Sequence, residues 1–252
     1  MTQISLGQPG GQPAPIAPST LTGVIAVQDA DEFDHIYTFS SATGWFTDQG
    51  HGSAATLIST GAIYTDSKFG ETTVAGTKGS IFIGTNQALW TPATINLDGS
   101  ADFVVEGIFQ IQGSSAAGQA HFVMIFDELA ITSSIAGGGS SIELIQHSPF
   151  LREVIAAPMS YAYLAVPTFI AMSWDSGAGA LTAFYRQAGD IEYSHTFSFA
   201  PPFNFGPQRV TVRGGDKSFY PAADGFTHAF GIKFDTVSTV EHRDAIYAAM
   251  GI

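Results

Sequence analysis

The 252-residue chain carries 22 Asp and Glu against 9 Lys and Arg, a formal net charge of −13, and it has no cysteine. That balance repels phosphate backbones and anionic bilayers, which excludes recognition of nucleic acid or membrane by a basic surface; the missing thiols exclude disulfides, thiol catalysis and Cys-ligated zinc. Only 12% of the residues are charged while 45% are hydrophobic, so the surface either meets other protein in an assembly or is polar through Ser, Thr and Gly.

Residues 1–22 read as a Pro/Gly-rich extended arm, and residues 23–252 as one domain, a length that all-β sandwiches commonly reach as a single unit. The start, Met1-Thr2-Gln3-Ile4-Ser5-Leu6-Gly7, lacks the basic residues and apolar core of a secretory signal. No apolar run reaches the roughly 18 residues of a membrane span. The stretch from Gln8 to Pro18 holds four prolines and favours extended or polyproline II geometry. It is either a disordered tail or an arm that orders against a neighbouring subunit, with Ile4, Leu6, Pro13, Pro15 and Ile16 as its contact residues.

From Gly23 onward, runs of Val, Ile, Phe, Tyr and Thr alternate with Gly, Ser, Asp and Pro clusters. This is the pattern of many short strands joined by turns. Strands are expected at 33–40, 53–58, 63–65, 79–83, 103–112, 119–125, 141–146, 151–156, 168–175, 180–187, 191–199, 209–214 and 225–234. By the two-residue period of a strand, Phe103, Val105, Gly107, Phe109 and Ile111 share one face and Val104, Glu106, Ile108 and Gln110 the other. Neither face is cleanly polar, which marks a central strand. Trp174-Asp175-Ser176-Gly177 reads as a turn between two strands, and the architecture as a two-sheet antiparallel β-sandwich.

Two loops stand out. Residues 135–141 form a hairpin or edge loop that lacks the Lys and helix start of a phosphate-binding loop, and residues 200–207 form a rigid aromatic connection. Only the C-terminus reads as a short helix. Ser238 and Glu241 have capping-box spacing, Val240, Ala245, Ile246 and Ala249 fall on the expected buried side, and Gly251 sits where a left-handed cap belongs.

Several of these segments also occur in a known order. Tyr37-Thr38-Phe39, Thr47-Asp48-Gln49-Gly50-His51-Gly52, Asp66-Ser67-Lys68-Phe69-Gly70, Asp102-Phe103-Val104-Val105-Glu106-Gly107-Ile108-Phe109, the pair Ser173-Trp174-Asp175 and Leu181-Thr182-Ala183-Phe184-Tyr185, and a helix after Phe234-Asp235 follow one another. From about residue 30 to the end, the chain resembles the concanavalin A-like lectin/glucanase superfamily, specifically laminin-G-like jelly-roll domains of bacteriophage structural proteins. It departs from that pattern at Gly107 and Phe109, where an aromatic residue is usual, at Tyr185-Arg186-Gln187-Ala188-Gly189, and across the insertion-like stretch 125–158. The resemblance implies a jelly-roll sandwich, a fold that hosts lectins, hydrolases, adhesins and structural modules alike.

Chemistry is sparse. Glycoside hydrolysis needs two carboxylates across the cleaved bond, and the Glu-x-Asp-x-x-Glu string of the glucanase branch is missing. Asp127 and Glu128 are adjacent and so point to opposite faces, Glu106 is alone on its strand, and Glu143 has no carboxylate partner. Asp29, Asp31, Glu32 and Asp34 lack the Gly and distal Glu of a calcium loop. The seven histidines are scattered without ligand spacing. No catalytic residue, metal or cofactor is therefore expected. Sugar rings stack on exposed aromatic side chains beside hydroxyl-binding polar groups, which leaves Trp45, Asp48, His51, Tyr161 and Tyr163 as candidate glycan contacts.

These features lead to a non-enzymatic virion structural protein of a phage or phage-like particle: a capsid decoration, head spike or fibre module, made in the host cytoplasm without a signal peptide. It is expected as a homo-oligomer or in many copies, joined to other virion proteins through the arm. The alternative is a carbohydrate-binding adhesin or lectin module recognising host surface polysaccharide. A glucanase-type hydrolase is the third reading.

Overall fold

A computed structural model describes residues 33–37, 39, 47–53, 55–59, 81–83, 89–92, 95, 97, 99–113, 120–125, 129–136, 139–147, 150–159, 168–187, 190–197, 210–213 and 224–250. The expected arm, with Ile4, Leu6, Pro13, Pro15 and Ile16, lies outside these residues, as do the expected strand at 63–65 and the loop at 200–207. The described strands are β1 (His35–Tyr37), β2 (Ile58–Ser59), β3 (Ile81–Ile83), β4 (Leu89–Trp90), β5 (Phe103–Gly113), β6 (Ala120–Ile125), β7 (Leu129–Ala136), β8 (Gly139–His147), β9 (Phe150–Met159), β10 (Thr168–Asp175), β11 (Ala180–Gln187), β12 (Tyr193–Thr196), β13 (Val210–Arg213) and β14 (Asp224–Phe234). One helix, α1 (Val240–Met250), follows.

The strands form two antiparallel sheets. The first runs β1-β14-β5-β10-β11-β12, with β3 also on β14; the second runs β2-β4-β13-β6-β7-β8-β9. An all-β sandwich with a short C-terminal helix is what the strand pattern led us to expect. β5 is central, flanked by β14 and β10, and Phe103 to Phe109 are all buried. Edge strands β9 and β12 lie against one another, and His195 Nε2 meets Glu153 Oε2 at 2.5 Å between them. That pair closes one side of the sandwich.

The hairpin between β10 and β11 turns where the Asp175 carboxylate accepts the Ala178 N–H at 2.8 Å. Gly179 follows with a φ of 62°, a conformation that costs glycine little. Trp174 is 8% exposed and its indole donates to the Gly99 carbonyl at 2.9 Å, so it belongs to the core.

Differences from the sequence reading have local causes. β1 stops at Tyr37 rather than at residue 40, and Phe39 takes a φ of 51° that a strand cannot hold. β4 and β7 had no counterpart among the expected strands. The stretch 125–158, read as an insertion, supplies β7, β8 and β9 as a meander, with Ala136 opposite Gly139 across the first turn. The helix cap is Thr239, whose Oγ1 accepts the His242 N–H at 3.2 Å. Ser238 is drawn elsewhere: its N–H donates to Ser173 Oγ at 2.8 Å and its hydroxyl accepts from Arg243 at 3.0 Å. Val240 and Ala245, expected inside, are exposed, and the buried face is Arg243, Ile246 and Tyr247.

Register explains where α1 sits. Val104, Glu106 and Ile108 align with Ser173, Ala171 and Phe169 on β10 and with Lys233, Gly231 and Ala229 on β14. Phe184 and Arg186 on β11 continue these rows. This is the outer face of the first sheet, and α1 covers it: Ile246 and Tyr247 join Phe33, Ile36, Ile108, Phe169, Ala171, Phe184 and Ala229 in one apolar cluster. Full burial of a side chain such as Ile246 stabilises by about 1.5–3 kcal/mol. The opposite rows, including Val105, Phe109, Ile170, Met172, Tyr185, Phe230 and Ile232, are buried as well; alternation turns them toward the second sheet.

Candidate recognition surface

Of the five glycan candidates, Asp48 and His51 fall on one turn after β1, while Trp45, Tyr161 and Tyr163 lie outside the described residues. The Asp48 side chain is only 1% exposed. Its Oδ1 accepts the N–H groups of Ile36 and Gly50, both at 3.0 Å. Its Oδ2 accepts from His35 Nδ1 at 2.5 Å and from the Ala55 N–H at 3.3 Å. Burial pushes its pKa up, but the bonds from His35, Gly50 and Ile36 outweigh burial and hold it below its ordinary value of 3.8. With both oxygens engaged twice, Asp48 organises the turn and has little left for a sugar hydroxyl. Gly50 is required here, because a Cβ would stand 2.3 Å from the Asp34 carbonyl oxygen.

His51 differs. Its side chain is 53% exposed and its Nε2 lies 3.6 Å from Asp34 Oδ1. The other Asp34 oxygen accepts the Phe234 N–H at 2.7 Å, which pins the turn to the end of β14. Thus the structure brings Asp48 and His51 into one turn and leaves only His51 open to a ligand.

A second polar constellation lies between α1 and the outer face of the first sheet. His242 Nε2 is 2.7 Å from Glu106 Oε1, and its Nδ1 is 3.1 Å from Lys233 Nζ. An ammonium has no acceptor, so Lys233 donates to Nδ1, and the imidazole passes its Nε2–H to Glu106. Lys233 also sits 4.7 Å from the centre of the Phe33 ring. Next in sequence, Arg243 donates from Nε and Nη2 to the two oxygens of Glu192, at 2.7 and 3.1 Å, and the Tyr247 hydroxyl donates to Glu192 Oε2. Burial raises the Glu192 pKa, and the bonds from Arg243 and Tyr247 more than reverse that, leaving it below its ordinary 4.5. The Tyr247 phenol is pushed far up by burial and by the Glu192 carboxylate.

Two arginines stack on rings in this layer. The Arg243 guanidinium is 3.8 Å from the Phe184 ring centre and that of Arg186 is 4.4 Å from that of Tyr247. Cation–π contacts of this kind add about 0.5–2 kcal/mol. Beside them, Ile191 is 67% exposed and Val240 57% exposed. Sequence reading missed this surface because its members come from β11, the turn before β12, and α1. The one legible signal was Arg243 three and four positions before Ile246 and Tyr247.

Of the carboxylates weighed for hydrolysis, the two described ones are buried and held by structural partners. Glu106 is held through one oxygen by His242 and its other oxygen is buried without a partner, while Glu143 is clasped by Arg152 through two N–H donors; Asp127 and Glu128 lie outside the described residues. Among the described residues, no three His, Asp or Glu side chains come together as a metal site. A cavity of about 10 Å³ lies under α1, lined by Phe33, Ile36, Glu106, Phe169 and Ile246 among others; it has room for one water and no more.

No protein-family model matches the chain, and no curated protein sequence matches it. Solved structures do. The botulinum neurotoxin serotype D binding domain superposes with a TM-score of 0.57 at 11% identity, over 91% of this chain and 52% of that one. Domain 4 of AbnA, a GH43 extracellular arabinanase from Geobacillus stearothermophilus solved with arabinotriose, gives 0.53 at 14% identity, over 87% of this chain and 98% of that one. The serotype D ligand binding domain in complex with N-acetylneuraminic acid gives 0.55 at 11%, over 87% and 51%. The chain spans about half the length of the neurotoxin domains it matches and nearly the whole of the arabinanase domain. At these identities the likeness is one of fold, a two-sheet β-sandwich.

Proposed function

We propose that this chain is a carbohydrate-binding β-sandwich module with no catalytic activity of its own. The observation that carries the reading is the match, over 87% of the chain, to an arabinanase domain solved with arabinotriose; a serotype D neurotoxin domain of the same fold was solved with N-acetylneuraminic acid. The side-chain chemistry agrees. Glu106, Glu143 and Glu192 each serve a structural partner, whereas glycoside cleavage needs a carboxylate pair facing the substrate. Aromatic and polar side chains at the surface can instead stack on a sugar ring and bond its hydroxyls. Incubation of the folded full chain with an array of plant and bacterial polysaccharides and sialylated oligosaccharides tests this. Saturable binding without release of reducing ends supports it; a blank array, or steady turnover, overturns it.

The finer reading places the module on a phage or phage-like particle, as a capsid decoration, head spike or fibre module. The Pro/Gly-rich segment 1–22 would join it to other virion proteins in many copies, and the sandwich would face host glycans. It is supported by the low charge content and by the resemblance of the segments from Tyr37 to the C-terminal helix to phage jelly rolls. An extended arm on a symmetric particle multiplies weak contacts. Deleting residues 1–20 is expected to abolish incorporation into particles; full occupancy by the shortened chain overturns the role of the arm.

A further inference from the structure

We propose that the cavity beneath α1 is the binding site of one buried water molecule, held by Glu106 Oε2 at the end of the hydrogen-bonded line that seats the helix. Glu106 is 3% exposed. Its Oε1 lies 2.7 Å from His242 Nε2, and His242 Nδ1 lies 3.1 Å from Lys233 Nζ. Three elements, β5, α1 and β14, therefore meet in one line. Oε2 stands outside it: that oxygen is buried and has no hydrogen-bond partner. Glu106 also lines the cavity of about 10 Å³ under the helix.

A carboxylate oxygen buried without a donor is costly, because it has given up its water and received nothing in return. Protonating it does not remove the cost, since a buried O–H then needs an acceptor. The protein offers neither. Among the described residues that line the cavity, Glu106 has the one polar side chain; the others are apolar, and Gly107, Ala229 and Gly231 contribute little beyond backbone. Gly231 is the residue opposite Glu106 across the β5–β14 ladder, and the ring of Phe33 fills the place where its side chain would stand.

Size and chemistry then select the ligand. About 10–15 Å³ of this kind of volume takes one water, and a sugar, a carboxylate or a phosphate is far larger. A hard metal cation needs about six oxygen ligands, and the lining supplies one side-chain carboxyl group. Water both donates and accepts, so it satisfies Oε2 whether or not that oxygen carries a proton. Its remaining hydrogen can go to a carbonyl of the β5–β14 ladder, which keeps a second lone pair after its ladder bond is made. The water thus completes the polar set that α1 closes over, with Ile246 as the apolar cover.

A high-resolution crystal structure of the full chain tests the site directly: one ordered water is expected within about 2.6–3.2 Å of Glu106 Oε2. In solution, rotating-frame cross-peaks are expected between water and the methyl groups of Ile246. Ala229 also lines the cavity, so Ala229→Val pushes a methyl group into the water's place. Its cross-peaks are expected to vanish, and its urea midpoint to fall by roughly 0.3–0.5 M, because Oε2 is left without a donor. A dry cavity gives the opposite sign, since a methyl group that fills a void stabilises. A wild-type structure with no density beside Oε2, or with Oε2 bonded directly to a protein donor, overturns the assignment. So does a higher midpoint in Ala229→Val, or cross-peaks to Ile246 that survive in that variant.

Discussion

Removing the Asp48 carboxylate tests the claim that this residue is structural and not a sugar contact. In Asp48→Ala, the N–H groups of Ile36, Gly50 and Ala55 and the Nδ1 of His35 all lose their acceptor. Each buried donor left unpaired costs about 1–3 kcal/mol; the turn can relax toward water at Gly50, so the low end applies and the loss comes to about 4 kcal/mol. For a chain of this length that lowers Tm by about 8–15 °C. Asp48→Asn keeps one oxygen for Ile36 and Gly50 and turns an amide N–H toward the Ala55 N–H, itself a donor left without an acceptor; about half the loss is expected. The assay is urea unfolding followed by Trp fluorescence, with the midpoint shifting at constant m-value. If Asp48→Ala unfolds within about 1 kcal/mol of wild type, the bonds are not holding the turn and the reasoning is wrong. His51→Ala in the same assay leaves the midpoint in place, since its side chain is 53% exposed and 3.6 Å from its nearest carboxylate oxygen.

Three further outcomes follow from packing and charge. Gly231→Ala would put a Cβ 2.3 Å from Phe33 Cε1 and 2.5 Å from its Cδ1; the buried Phe33 ring must shift to admit it, so unfolding free energy falls by about 1–3 kcal/mol, as a urea midpoint shift shows directly. Ile246→Ala empties the main apolar contact of α1 with the sheet and is expected to cost about 2–5 kcal/mol, with amide exchange in α1 rising ahead of that in β5. On acidification, Asp48 and Glu192 both have folded pKa values below their ordinary 3.8 and 4.5. Their contribution is therefore complete above those ordinary values and disappears as pH falls through the depressed folded ones; a urea midpoint that climbs between pH 4 and pH 2 would contradict it.

Much of the sandwich could be read in the chain. The long strands β5, β10, β11 and β14 are runs of β-branched and aromatic residues bounded by turn formers, and their expected limits fall within a residue or so of those observed. β7 escaped because Thr132-Ser133-Ser134 interrupts its apolar residues, and only pairing with β6 and β8 makes a strand of it. The cap of α1 moved one residue because Ser238 and Thr239 have similar intrinsic cap preference, and contacts with Ser173 and Arg243 claimed the first. Arg243 was invisible as a core residue: its identity signals solvent, and only the ring of Phe184 and the carboxylate of Glu192, more than fifty positions away in sequence, make its burial tolerable. The turn holding Asp48 and His51 was legible as a candidate site by residue type alone. That type could not separate a carboxylate saturated by backbone donors from one held out to a ligand, because the distinction depends on Ile36 and Ala55 arriving from either side.

The way this chain uses its few cations bears on how α1 docks on the sheet. Of nine Lys and Arg, three meet where α1 covers the sheet: Lys233, Arg186 and Arg243. A helix that docked by hydrophobic contact alone would need only the Ile246 and Tyr247 side of its surface. Here the sheet beneath presents Glu106, and the turn before β12 presents Glu192, so docking also requires each carboxylate to be met by a positive or hydrogen-bonding group on arrival. His242, itself bonded by Lys233, answers Glu106; Arg243 and Tyr247 answer Glu192. Removing one partner from such a pair is far more damaging than replacing the pair with apolar residues, which makes the arrangement specific for one seating of the helix. Arg186 joins the same layer through its ring contact with Tyr247. That contact exists only when α1 is seated, so loosening the helix should raise amide exchange across α1 before the sheets themselves unfold.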